Sequence, residues 1–139
     1  MKGKWLAALG VASLLATAGC ASMTSDPVAK APPPAPYKAV SSLVKLPDFI
    51  PGLGSLYVDP ATLPAGPFLA YDRQGRLVST IYMIPIKDFE AQKAFSLAAP
   101  GGRVDHVSLY FNAGHPGVEE PHYHIVLWHV KNGDELVAK

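Results

Sequence analysis

The sequence predicts an α+β fold: a small antiparallel β-sheet domain with one covering helix, preceded by a signal peptide and a Pro-rich tether. Three observations predict it. Two stretches, Arg103–Phe111 and Pro121–Val130, alternate in character with period two and are joined by a loop, as an antiparallel pair requires. Two further apolar runs, Pro67–Tyr71 and Arg76–Ile84, flank Asp72-Arg73-Gln74-Gly75, a hairpin connection whose glycine can supply a positive φ. One stretch only, Lys87–Ala98, carries apolar residues (Ala91, Ala94, Phe95, Ala98) at helical spacing before Pro100-Gly101-Gly102 ends it.

The chain opens with Lys2 and Lys4, then an apolar run from Trp5 to Ala16 that suits a secretory signal and is short for a membrane span. It closes on Thr17-Ala18-Gly19-Cys20, which resembles a bacterial lipobox, although Thr17 stands where Leu is usual. Residues 1–19 are therefore expected to be a lipoprotein signal peptide, with Cys20 lipidated after cleavage and anchoring the protein in a membrane. Ala21 and Ser22, in place of an Asp, resemble the sorting pattern for the periplasmic side of the outer membrane. Cys20 is the only cysteine, so no intramolecular disulfide can form. Residues 20–42 are expected to be a tether, because Ala31-Pro32-Pro33-Pro34-Ala35-Pro36 favours extended polyproline II.

Residues 43–139 are left for one His-rich antiparallel domain. Leu43–Gly52 mixes apolar residues with Pro and Gly and reads as an irregular lead-in loop packed on the core. Ser55–Val58 is a short strand ended by Asp59-Pro60, and Ala61–Gly66 a turn. Arg76–Ile84 is apolar on both parities near its end, which predicts a central strand. For the last pair, burial of Val107, Leu109 and Phe111 together with Tyr123, Ile125 and Leu127 is expected. That register places His106, His122 and His124 on the opposite face and points His129 with the core set. The formal charge of +1 turns to about −1 once Lys2 and Lys4 are removed, so no basic face argues for nucleic acid.

Four of the five histidines crowd Asn112–Val130: His115, His122, His124 and His129. Histidines at i and i+2 on a strand project the same way and can ligate one ion. His106 from the neighbouring strand and His115 from the loop could complete a site, with Glu119 and Glu120 standing behind the ligands or acting as a base near a metal-bound water. Neutral imidazoles with an open position suit zinc or copper. The blander alternative has His122 and His124 hydrogen-bonding on a half-buried sheet face with Tyr110 and Trp128. A full cupin is rejected, since Trp128 and His129 occupy the region where its Glu ligand would follow the His pair, and no second motif fits. Serine-hydrolase, phosphate-loop and Cys-based metal patterns are absent.

The run Asp105-His106-Val107 … Gly114-His115-Pro116 … Pro121-His122-Tyr123-His124 resembles an uncharacterised bacterial family of secreted proteins. Its members carry Gly-His-x-Pro followed by Pro-His-Phe-Asp-x-His-Phe-Tyr. His124 stands where that family has Asp, and Val126 where it has its second His. The resemblance implies a domain and a site but no mechanism. Three functions rank in order: a tethered metal-binding module for sequestration or sensing, a binding or assembly module whose His and aromatic face meets a protein partner or a second copy, and a small metal-dependent hydrolase.

Overall fold

β-branched and aromatic residues at alternating positions favour pleated strands, and six strands form in the computed structural model, which describes residues 26–139. They are β1 (Lys38–Ala39), β2 (Ser55–Val58), β3 (Phe68–Tyr71), β4 (Leu77–Pro85), β5 (His106–Asn112) and β6 (His122–Trp128). All join one sheet in the order β1-β2-β3-β4-β6-β5, each neighbouring pair antiparallel. The expected hairpin joins β3 to β4. Gly75 takes φ 74°, and the Asp72 carboxylate accepts the Gln74 and Arg76 N–H groups, which ties the turn. β4 is buried along its whole length, as a central strand must be.

The principal core lies on one sheet face. Leu56, Val58, Phe68, Ala70, Ile81, Met83, Val126 and Trp128 line it from the strands. The lead-in loop covers them with Val44, Leu46, Phe49, Ile50 and Leu53, as expected, and the C-terminal turn α2 (Gly133–Leu136) adds its neighbour Val137. Full burial of a side chain such as Ile81 contributes about 1.5–3 kcal/mol.

Residues 26–42, expected as part of the tether, pack on the sheet instead. Val28 is buried, and its carbonyl accepts the Tyr71 hydroxyl at 2.8 Å. Ala31 N–H donates to Gly75 O, and Lys38 pairs with Val58. Proline-rich backbone still offers carbonyls and apolar rings, and here β3, β4 and the hairpin receive them. The signal peptide and Cys20 lie outside the described residues.

The covering helix is much shorter than Lys87–Ala98. α1 spans Ile86–Glu90 and ends as Gln92 turns to φ 54°. Three of its four stripe residues are alanines, which offer too little apolar area to hold a helix against the sheet. Residues 91–99 are exposed, and the segment is held by the Tyr82 hydroxyl, which donates to Ala98 O at 2.7 Å.

The β5–β6 pairing is antiparallel as expected, with Leu109 opposite Ile125 and Tyr110 opposite His124. The buried side is the reverse of the expected one. His122, His124, Val126 and Trp128 are buried, whereas Val107, Leu109 and Phe111 are 58%, 62% and 55% exposed. β6 is apolar on both parities beyond His124, so alternation alone did not choose between its faces. The choice falls to the loops, which cover the histidine side, and the short α1 leaves the other side of edge strand β5 bare. Among the described residues no helix is long and apolar enough to cross a membrane.

Candidate metal centre

Period-two alternation on β6 sends His122 and His124 to the same face, and both are almost fully buried. His115 arrives from the β5–β6 loop. His115-Pro116-Gly117-Val118 forms a tight turn closed at both ends, His115 N–H to Val118 O at 2.9 Å and Val118 N–H to His115 O at 3.0 Å. Pro at the second position and Gly117 at φ 92° are the residues such a turn demands. Gly114, at φ 129°, lies against the Glu119 carbonyl, where any Cβ would collide. Val118 plugs into the core and fixes the loop over the sheet.

The three imidazoles meet there. One nitrogen from each lies within 4.8 Å of the others. Ring centroids are 4.9 Å apart for His115–His122 and for His122–His124, and 5.6 Å for His115–His124. The outer nitrogens have their own partners: His122 Nδ1 lies 2.7 Å from Glu120 O, His124 Nδ1 2.9 Å from the Tyr110 hydroxyl, and His115 Nδ1 3.1 Å from Pro116 O. His122 Nε2 and His124 Nε2 face each other at 3.0 Å. His115 Nε2 is buried and finds no partner among the described residues.

These contacts assign the protons. A carbonyl only accepts, so His122 and His115 carry theirs on Nδ1 and leave Nε2 as a lone pair. His122 Nε2 then accepts from His124 Nε2–H, and His124 Nδ1 accepts from Tyr110 O–H. Every bond in the relay is satisfied with all rings neutral. Burial first, then the neighbouring His122 and His115, lower the His124 pKa to about 4, so it is uncharged at neutral pH. Burial also raises the Tyr110 phenol above its ordinary value and keeps it an O–H donor.

Of the residues the sequence singled out, His115, His122 and His124 come together and His106 does not. His106 sits opposite Trp128, four residues along β6 from His124, which is roughly 13 Å at strand rise. It stacks on the Trp128 ring at 5.8 Å and bonds Asp105. His129 points away, as expected, toward Thr80 Oγ1 and Arg103 O. Glu119 is exposed, and the Glu120 carboxylate pairs with Lys87 at 2.6 Å, so it is the Glu120 carbonyl that supports His122. Tyr110, read from the sequence as a hydrogen-bonding neighbour of the histidines and as part of an aromatic docking face, lies in hydrogen-bond contact with His124. The signal for it was its register opposite His124.

The TTHB210-like family, described as "Hypothetical protein TTHB210", matches residues 72–111. A solved structure, that of the hypothetical protein TTHB210 from Thermus thermophilus, is similar at 45% identity with a TM-score of 0.58. The match covers 67% of this chain and 88% of that one. No curated protein matches. The matched family segment stops at Phe111, short of His115, His122 and His124. A family of hypothetical proteins is thus found, while the Gly-His-x-Pro and Pro-His-Phe motifs and a lipoprotein character do not form part of that match.

Proposed function

This chain belongs to the TTHB210-like family, and since that family of hypothetical proteins carries no activity to transfer, we propose a function from the site: the domain binds one divalent metal ion, zinc or copper, through His115, His122 and His124. The observation that carries the proposal is the convergence of three neutral imidazoles whose outer nitrogens are already held, with His115 Nε2 buried and unpartnered among the described residues. Backbone carbonyls or a hydroxyl behind each ring fix its orientation, which is how metal-bound histidines are commonly supported. Tetrahedral zinc needs ligand nitrogens about 3.3 Å apart; His122 Nε2 and His124 Nε2 stand at 3.0 Å, and a nitrogen of His115 lies within 4.8 Å of both. His124 would pass its Nε2 proton to Nδ1 and donate it to the Tyr110 oxygen. Three ligands leave a fourth position open. Capture or sensing of metal fits this better than hydrolysis, because Glu119 is exposed and the Glu120 carboxylate is paired with Lys87.

Isothermal titration of the purified protein with zinc and with copper tests the proposal. One saturable site is expected, abolished by His115→Ala and by the double change His122→Ala, His124→Ala, and retained in His106→Ala and His129→Ala. Equal loss on removing His106 or His129 would refute it. We further propose, from the lipobox-like Thr17–Cys20, that the module is lipid-anchored through Cys20 at the periplasmic side of the outer membrane.

A second reading, a protein-docking module, is favoured by one observation on the opposite face. Val107, Leu109 and Phe111 are exposed side by side on an edge strand, where soluble chains usually place charge. The His and aromatic face itself is covered and does not suit that role.

A further inference from the structure

Between the lead-in loop, the sheet and the His115 turn lies a cavity of about 240 Å³. Its walls include Leu56, Val58, Phe68 and Met83, and among the described residues no Lys, Arg, Asp or Glu lines it. Polar groups gather at one end, where Tyr110, Asn112, His115 and His124 border it, two of them the proposed ligands. Leu43 and Leu63, 38% and 47% exposed, stand at its rim. A concave, mostly apolar space with a few convergent polar groups is the usual form of a small-molecule site.

Resting on the metal reading above, we infer that this cavity binds a short aliphatic carboxylate, its chain against Leu56, Phe68 and Met83 and its carboxylate on the open position of the metal. The chemistry of the lining selects this class. An apolar body matches the walls. An anionic head group among such walls would be left buried and unpaired, unless a divalent ion held by three neutral histidines supplies the charge. Size sets the length. At about 30 Å³ per water-sized group, the space holds about eight non-hydrogen atoms, the size of hexanoate. Both ends of the molecule are therefore specified, one by dispersion and burial, the other by coordination.

Titration of the zinc-loaded protein with hexanoate, acetate and hexan-1-ol tests the inference, after zinc alone has been titrated. Each buried methylene is worth about fourfold in affinity, so hexanoate should exceed acetate by on the order of a hundredfold. Hexanoate should not bind measurably without zinc, and hexan-1-ol should bind zinc-loaded protein more weakly than hexanoate. Val44→Phe, which enlarges a partly exposed wall residue, should weaken hexanoate while zinc and acetate binding persist. Hexanoate no tighter than acetate on wild-type zinc protein would overturn the inference and leave the metal site standing. Equal binding of hexanoate with and without zinc would also overturn it, since the carboxylate would not be on the ion. Absence of zinc binding in the first titration would remove the metal reading and this inference together.

Discussion

At the scale of single residues, the relay from Tyr110 through His124 and His122 to the Glu120 carbonyl holds only while the rings are neutral. A proton added to His124 at Nδ1 would displace the bond donated by the Tyr110 hydroxyl and put a charge beside His122 and His115 in a buried site. The folded-state pKa of His124, about 4, lies below the ordinary 6.5, so the unfolded chain binds more protons between those values. Stability linked to this group is fully present above pH 6.5 and is lost as pH falls toward 4. Denaturant midpoints across that range should fall more steeply for metal-free wild type than for His124→Gln, which cannot charge. Parallel pH profiles would contradict the assignment. The pairing of His122 with His124 was legible in the sequence because a strand alternates. His115 was named without its geometry, and His106 was placed on the right face but at the wrong height, since same-face residues can still lie four positions apart.

At the scale of elements, β5 and β6 were legible as a pair but not by side. Val126 and Trp128 are as apolar as Ile125 and Leu127, and only the loops above the sheet decide which set is enclosed. The consequence can be measured. Ile81→Ala, in the fully buried centre of β4, should destabilise by roughly 2–5 kcal/mol through lost transfer energy and a cavity. Leu109→Ala, at an exposed edge position, should change stability by no more than about 0.5 kcal/mol. A larger loss at Leu109 than at Ile81 in urea unfolding would return the core to the other face. The helix from Lys87 to Ala98 failed for a different reason. Helical spacing of alanines resembles an amphipathic stripe, yet burying alanines gains little, and the chain leaves the helix at Gln92.

At the scale of the whole molecule, the α+β reading was legible in its sheet: the longer strands fall where alternation and turn residues put them. Its lower edge was not, because the proline run in 31–36 signals an extended chain without saying whether that chain packs. Val28, Tyr37 and β1 show that it does. Among the described residues, packing on the sheet therefore begins by Val28, inside the stretch expected to be tether. Cys20→Ser should move the protein from membrane to soluble fractions, and wild-type protein already soluble with an unmodified thiol by mass spectrometry would refute anchoring. The three-histidine centre is the central claim, and anomalous diffraction at the zinc edge from a zinc-soaked crystal tests it most directly. One strong peak is expected, bounded by His115, His122 and His124 and about 2.0–2.1 Å from a nitrogen of each. A peak at His106 and Asp105 instead, or no peak at the cluster in zinc-saturated crystals, would contradict it.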